Sequence, residues 1–439
     1  MPGITNRSIY RKIQQKLIPF LVILYIFAYL DRINISFAAL QMSQQLGFTD
    51  SVYGLGAGLF FIGYFIFEVP SNLILERTGA KIWISRIMVS WGIVACCMIF
   101  IRNEHNFYLL RFILGIAEAG FFPGIIFYLT KWFTEAQRAQ SMALFTTATA
   151  ISGIIGGPLS GWILNFHGIA GLPGWQWLFL VEGIPAIFLG ILVLFILPNS
   201  PKDVHWLSSL EKEQLLEQLQ AENKANQHIK KHSLVEIFTS PRLWGLCFIY
   251  FTICVGIYGF SLWLPQLIKG ASNLNNLQIG LVSAIPYLVA AIGMVSVGAH
   301  SDLKRERKWH IVFLLMIAGL GFGLISLTQG LGLTFLGLLL VAFGVWSSIG
   351  IFWSVPNYLL GSGTAAGGIA LINSVGNLGG FFGPSLIGFF KDQTGSFADS
   401  LLILMAIMIL GAIATLLIVP NQYHTNLNVR NDKNRHHPY

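Results

Sequence analysis

The sequence predicts an all-α polytopic membrane protein with twelve transmembrane helices in two pseudo-symmetric six-helix bundles. Three observations lead to this fold class: the composition, the spacing of long apolar segments and an internal repeat. The 439 residues are 54% hydrophobic and only 10% charged, whereas a soluble domain carries roughly 25% charged residues. A single soluble core cannot bury this much apolar surface, so the chain is expected to lie in a lipid bilayer.

Twelve segments are long and apolar enough for membrane-spanning helices, each of which needs about 20 apolar residues. They are 17–40, 52–75, 82–101, 107–132, 139–166, 175–197, 242–268, 278–299, 310–328, 333–359, 365–390 and 398–419. The polar, helix-prone run "LEKEQLLEQLQAENKANQHIKK" separates the first six from the last six. We therefore expect an N-terminal bundle at 1–198, a linker at 199–240, a C-terminal bundle at 241–420 and a tail at 421–439.

Lysine and arginine predict the orientation, because they accumulate on the cytoplasmic side of membrane proteins. With the N-terminus inside, the inner segments and helix ends hold 22 of the 27 basic residues, and the outer connections hold only Arg102, Lys269 and Lys391. Both termini and the linker are therefore expected in the cytoplasm. The net charge of +8 then reflects membrane topology, and we expect no nucleic-acid partner.

The two halves carry similar motifs at one constant separation. "NLILERTGAK" (72–81) corresponds to "GAHSDLKRER" (298–307), and "GGPLSG" (156–161) corresponds to "FGPSLIG" (382–388), both at an offset of 226 residues. A duplicated six-helix unit accounts for both matches. Transporters built from such repeats bind their substrate near the membrane midplane, between the two halves.

Away from the helix ends, six charged residues fall within the predicted spans, all of them in the first half. They are Asp31, Arg32, Glu68, Arg111, Glu118 and Glu182. A charge at the bilayer centre costs roughly 2.5–3.5 kcal/mol on insertion scales, so such residues face protein, water or one another. We interpret Glu182, near the outer end of its span, as a structural contact, and Glu68, near an inner end, as a gate or packing residue.

Asp31, Arg32, Arg111 and Glu118 are expected to converge on one central site. At 1.5 Å per residue, Asp31 in the first span and Glu118 in the fourth differ in depth by only about 3 Å. Arginine suits a carboxylate or phosphate ligand, and a buried carboxyl beside arginine can take up and release a proton as its partner changes. The alternative is a structural ion-pair cluster. Arg111 is expected to contact the substrate, or else to pair with Glu118 or belong to an outer gate.

Polar residues in the second half and at the inner helix ends complete the candidate site. Asn373 and Asn377 lie one turn apart in "INSVGNLGGFFGP", and buried amides need hydrogen-bond partners, so we expect them to contact the substrate. The residues expected to act in gating are Glu68, Glu76, Arg77 and Asp302.

Several motifs resemble those of the major facilitator superfamily, and more specifically its anion:cation symporters. They are "YLDRINIS" (29–36), "FEVPSNLILERTGAK" (67–81), "RFILGIAEAGFFPG" (111–124), "WQWLFLVEGIPA" (175–186) and "GGIALINSVGNLGGFFGP" (367–384). Within these symporters, the chain looks most similar to the bacterial phthalate and tartrate permease group. The resemblance extends over nearly the whole chain.

The resemblance implies proton-driven uptake of a small organic anion. In similar symporters, the residues matching Asp31 and Glu118 handle protons, and those matching Arg32 and Tyr64 contact the substrate. The first outer connection is short, and no outer loop contains an N-x-S/T site. We therefore expect a multi-pass protein of the bacterial inner membrane, acting as a monomer.

The leading hypothesis is a proton-coupled symporter for a mono- or dicarboxylate. An organophosphate or phosphate exchanger would also use intramembrane arginines, but it needs no titrating carboxyls. A transporter-like sensor would need a signalling domain larger than the linker. An enzyme is not expected, because no nucleophile–base arrangement is found, and we expect neither a cofactor nor a metal.

Overall fold

The structure is a computed structural model that describes residues 6–227, 239–328 and 330–421, which are helical and contain no β-strand. The helices are α1 (Asn6–Leu46), α2 (Asp50–Thr78), α3 (Ala80–Cys97), α4 (Glu104–Glu118), α5 (Phe121–Thr130), α6 (Glu135–Ile163), α7 (Gly174–Ile196), α8 (Ser209–Gln227), α9 (Pro241–Gly270), α10 (Asn276–Lys304), α11 (Lys308–Ser326), α12 (Leu331–Phe352), α13 (Ser354–Asn377), α14 (Gly379–Thr394) and α15 (Ala398–Ile418). Helices α1–α7 form the N-terminal half, and α9–α15 form the C-terminal half.

Eleven of the twelve predicted spans appear, among the described residues, as helices long and apolar enough to cross a membrane. The exception is 365–390, which is helical but divided between the end of α13 and the whole of α14, with the junction at Leu378. The described helices account for all twelve predicted spans in two halves, and the predicted all-α membrane fold class is confirmed.

The fourth span differs from the continuous helix that the sequence predicted, because it breaks immediately after Glu118. Gly120 adopts φ +87°, a left-handed conformation that favours glycine. The Ser71 hydroxyl donates to the Ala119 carbonyl oxygen at 2.6 Å and so satisfies a backbone group near the break. The break therefore places Glu118 on the last turn of α4, inside the bundle.

Among the described residues, the halves pack together mainly through α2 with α14 and α6 with α10, and less extensively through α1 with α9 and α2 with α13. The repeat predicted from the sequence relates α2 to α10 and α6 to α14. The contacts α2–α14 and α6–α10 are therefore equivalent under a pseudo-two-fold axis between the halves.

Glycines allow the backbones of the two halves to touch. A Cβ atom on Gly157 would lie 2.5 Å from the Gly280 carbonyl oxygen, and one on Gly280 would lie 2.2 Å from the Gly157 carbonyl oxygen. On the other pair, a Cβ on Gly54 would lie 2.4 Å from the Pro384 carbonyl oxygen. Small residues commonly permit such close approach of helices in membranes.

Polar contacts also join the halves at one face of the bundle, which we call the far face and which contains the α1–α2 connection at 47–49. Lys391 Nζ donates to Asp50 Oδ1 at 2.8 Å. Asp392 accepts from the backbone nitrogens of Asp50 and Ser51 at 2.9 and 2.8 Å, so the C-terminal half caps helix α2 of the N-terminal half. The halves are closed against each other at this face.

The opposite face, which contains Asn6 and α8, is called the terminus face. Helix α8 of the predicted linker is bound to the N-terminal half, since Lys12 Nζ donates to Glu211 Oε1 at 2.5 Å and the Tyr10 hydroxyl donates to Gln218 Oε1 at 2.8 Å. The predicted tail at 421–439 and linker residues 228–238 lie outside the described residues, apart from Asn421.

Gly280→Ala should hold the far face open, because its Cβ collides with the backbone of Gly157. Spin labels on Gln44 and Ser396, exposed residues of opposite halves, should then report a longer distance by pulsed electron paramagnetic resonance than in the parent protein. Gly298→Ala on the same helix is the matched control, because a Cβ there meets nothing within 4 Å. An unchanged label distance in Gly280→Ala would show that closure does not need this contact.

Candidate functional site

A buried ion pair between Arg32 and Glu118 lies where the two halves meet. Arg32 Nη2 donates to Glu118 Oε1, and Arg32 Nη1 donates to the Tyr258 hydroxyl at 3.2 Å. Only 9% of Arg32 and 1% of Glu118 is exposed. Removing one partner of such a pair leaves an uncompensated buried charge, which typically costs about 3–5 kcal/mol.

Tyr258 connects this pair to the C-terminal half. It lies on α9, and its separation from Arg32 is 226 residues, the same as the offset of the internal repeat. The two side chains therefore occupy equivalent positions in the two halves and meet near the pseudo-two-fold axis. Any rocking of one half against the other changes the surroundings of Arg32.

Aromatic rings of α2 surround the guanidinium group of Arg32. Its Cζ lies 5.4 Å from the ring centroid of Phe60 and 5.6 Å from that of Tyr64. Rings at this range attract a cation. Among the described residues, Arg32 Nε is buried and has no hydrogen-bond partner. The site therefore contains a free donor beside the ion pair.

Arg111 is fully buried but does not form an ion pair with Glu118. Its Nη2 donates to the Ala57 carbonyl oxygen at 3.1 Å, its Nε to the Gly56 carbonyl oxygen at 3.4 Å, and its Cζ lies 5.1 Å from the Phe60 centroid. The guanidinium groups of Arg32 and Arg111 therefore both lie close to the ring of Phe60. Arg111 binds α4 to the backbone of α2, and it approaches the ion pair only through that ring.

Asp31 is turned away from Arg32, although the two are adjacent in sequence. Its Oδ2 accepts from Trp91 Nε1 at 2.5 Å, and its Oδ1 accepts from Asn34 Nδ2 at 3.3 Å. Consecutive helical residues point about 100° apart, so Asp31 faces α3 while Arg32 faces α4 and α9. The central site therefore does not contain two carboxylates that share the arginine.

A second contact between the halves lies one helical turn beyond Tyr64, toward the terminus face. Asn373 Nδ2 donates to Glu68 Oε1 at 2.8 Å, and the Ser374 hydroxyl donates to Glu68 Oε2 at 3.0 Å. Among the described residues, these are the hydrogen bonds between the halves nearest that face. Asn377, the last residue of α13, is half-buried.

The other predicted gating residues lie apart from the central site. Glu76 and Arg77 are exposed in the last turn of α2. Asp302 accepts a hydrogen bond from Arg307 Nη2, within the C-terminal half. Tyr258, which contacts Arg32, and Trp91, which contacts Asp31, were not among the site residues predicted from the sequence. The 226-residue offset from Arg32 was a signal for Tyr258, whereas nothing in the sequence distinguished Trp91.

Comparison with known proteins agrees with this architecture. The Major Facilitator Superfamily model matches residues 21–384. A protein of Agrobacterium vitis named as a tartrate transporter is 45% identical over 408 residues, which are 93% of this chain and 94% of that protein. A protein of Pseudomonas putida named as the metabolite transport protein NicT is 44% identical over 407 residues, 92% of this chain and 93% of that protein.

A solved structure shares the fold at low sequence identity. The bacterial homologue of the human lysosomal transporter Spinster, in an inward-facing and occupied conformation, aligns with a TM-score of 0.75 and 16% identity, over 93% of this chain and 97% of that chain. The sequence matches cover most of the chain and concern transporters rather than enzymes. The chain therefore belongs to the major facilitator superfamily of multi-pass membrane transporters.

Proposed function

We propose that this protein is a proton-coupled symporter that imports a small organic anion, a mono- or dicarboxylate, by alternating access. The observation that carries this proposal is the buried Arg32–Glu118 ion pair, in contact with Tyr258 of the other half. One of the relatives is named as a tartrate transporter. This name supports an organic anion as the substrate class.

Competition for Arg32 supplies the coupling. While Glu118 is ionised, it neutralises Arg32 and occupies part of its hydrogen-bonding fork. Protonation removes the charge of Glu118, so that Arg32 becomes a cation without a partner in a low-dielectric site. A substrate carboxylate restores the pairing and can bind the planar fork through two hydrogen bonds. Proton and anion therefore favour binding together.

Two neighbouring groups are positioned to recognise the rest of the substrate. Arg32 Nε lacks a partner among the described residues, and the Tyr258 hydroxyl already contacts the guanidinium. Asn373 and Ser374 hold the Glu68 carboxylate, so they are donors suited to a second carboxylate or a hydroxyl of a substrate. Tyr64 supplies an apolar ring between these two groups.

The contacts at the two faces provide the gates of the transport cycle. The Asp50–Lys391 pair and the glycine contacts close the far face, and the Glu68 bonds are the barrier toward the terminus face. A cavity of about 500 Å³ lies at the far face, with Lys269 and Lys391 in its lining. Asp50, the partner of Lys391, also lines this cavity, so Lys269 leaves its lining with a net positive charge that favours entry of an anion when that face opens.

The excess of basic residues on one side supports a definite orientation. Of the Lys and Arg residues that the structure describes, 17 belong to the terminus face or to its connections, so that face is cytoplasmic in the inner membrane of a bacterium. The far face is then periplasmic, and the protein works as a monomer with Asp31 and Glu118 as its proton-coupling carboxyls.

A thermal-shift screen of the purified protein tests the substrate class. L-tartrate, phthalate, acetate and glycerol 3-phosphate should be compared at equal concentration and pH. We expect one of the carboxylates to raise the melting temperature and glycerol 3-phosphate to have no effect. Stabilisation by glycerol 3-phosphate alone would favour an organophosphate exchanger.

Glu118→Gln should abolish uptake driven by a pH gradient and preserve exchange of labelled for unlabelled substrate. Glutamine keeps the shape and hydrogen-bonding capacity of a protonated glutamate, but it cannot release a proton to reset the carrier. Both activities are measured in one proteoliposome preparation, and Glu104→Gln, at the exposed start of the same helix, is the matched control. If Glu118→Gln retains pH-driven uptake, Glu118 is not an obligatory coupling residue.

Arg32→Lys should weaken substrate binding at least about tenfold, which corresponds to about 1.4 kcal/mol. A lysine ammonium keeps the charge but cannot form the two parallel hydrogen bonds of a guanidinium with a carboxylate. Binding is measured by calorimetry on purified protein, with Arg102→Lys at an exposed connection as the control. Unchanged affinity in Arg32→Lys would exclude this residue as the anion-binding group.

A further inference from the structure

Two buried carboxyl groups, those of Asp31 and Glu182, lie in the N-terminal half apart from the Arg32–Glu118 ion pair. Glu182 on α7 is 1% exposed, and its Oε1 accepts from the Ser160 hydroxyl of α6 at 3.2 Å. Its other oxygen, Oε2, is buried and has no hydrogen-bond partner among the described residues. A buried carboxylate oxygen without a hydrogen bond is strongly disfavoured, unless the carboxyl group is protonated or gains another hydrogen-bond donor.

Asn34 connects Glu182 to Asp31. It lies one turn after Asp31 on the same face of α1, and its Nδ2 donates to Asp31 Oδ1 at 3.3 Å. The Asn34 side chain is also close to the Glu182 carboxyl. Asp31 and Asn34 are each 2% exposed, so one buried amide stands between two buried carboxyls.

No cation compensates these two groups in the part of the chain that the structure describes. Helix α6 has no Asp, Glu, Lys, Arg or His between 139 and 163. On α3 the nearby titratable group is Cys96, and on α4 it is Glu118. Arg32 is directed to Glu118 and Tyr258. Two carboxylates in such surroundings repel each other, so they are not both ionised.

We propose that Asp31, Asn34 and Glu182 form a proton-binding site in which the two carboxyls share one proton. The binding step is a simple equilibrium: one carboxylate of the pair takes a proton from solution and becomes a neutral carboxyl, while the other remains an anion held by the neighbouring donors. The charge of Glu182 thus sets how tightly Asp31 holds a proton, and the charge of Asp31 does the same for Glu182. This inference rests on the proposed proton coupling for its role in transport, but not for the existence of the site.

Infrared spectroscopy tests the shared site directly. The carbonyl stretch of protonated carboxyls is followed during a pH titration of the purified, full-length protein, which needs no substrate and no transport. In Glu182→Gln the repelling charge is gone, so the Asp31 signal should disappear about 1–2 pH units lower than in the parent protein. Asp31→Asn should shift the Glu182 signal by a similar amount, because coupling between two sites is reciprocal.

The control variants distinguish a proton shared by Asp31 and Glu182 from a general effect of mutation. Glu104→Gln at the surface should leave the titration unchanged, and Glu182→Asp keeps the second carboxyl and should shift the midpoint least. An unchanged midpoint in Glu182→Gln would overturn the proposal, because Asp31 would then titrate independently. If Glu182→Gln does not fold, the shift in Asp31→Asn decides the question in the same way.

Transport measurements on the parent protein keep this inference distinct from the proposed function. A shifted infrared midpoint together with failure of pH-driven uptake would support the shared site and reject proton coupling. Normal pH-driven uptake together with an unshifted midpoint would reject the shared site and leave the symport mechanism in place.

Discussion

The buried contact between Arg32 and Glu118 is the constraint on which the rest of the structure depends. A guanidinium in the middle of a membrane protein needs a negative partner, since an unpaired buried charge costs several kcal/mol. The fold supplies one partner from α4, an aromatic wall from α2 and a hydroxyl from α9. Because Tyr258 belongs to the other half, the charge balance of Arg32 is connected to the relative position of the two halves.

The interface between the halves determines how they can move relative to Arg32. Backbone contacts at Gly157 and Gly280 and the Asp50–Lys391 pair fix the far face, while only the Glu68 side chain bridges toward the terminus face among the described contacts. The interface is extensive between Arg32 and the far face and small between Arg32 and the terminus face. This difference lets the halves pivot around the site. In the proposed mechanism, loss or gain of charge at Glu118 then changes which face is closed.

Much of this arrangement could be predicted from the sequence, and the remainder depends on side-chain direction. Hydropathy located the spans, and counting residues along the first and fourth spans placed Asp31, and with it the adjacent Arg32, at a depth similar to that of Glu118. Depth does not define direction, however, so the sequence did not reveal that Asp31 faces Trp91 and that Arg111 bonds to the backbone of α2. The break at Gly120 was also missed, because a glycine within an apolar run is compatible with a continuous helix.

The central claim is that substrate anion and proton bind to the Arg32–Glu118 pair together. The most direct measurement is proton uptake during binding, followed with a pH-indicator dye in weakly buffered detergent solution while the purified protein is titrated with the carboxylate that stabilises it most. We expect net uptake of protons by the parent protein as the anion binds, and a reduced uptake in Glu118→Gln. Saturable binding of the anion by the parent protein without any proton uptake would contradict it.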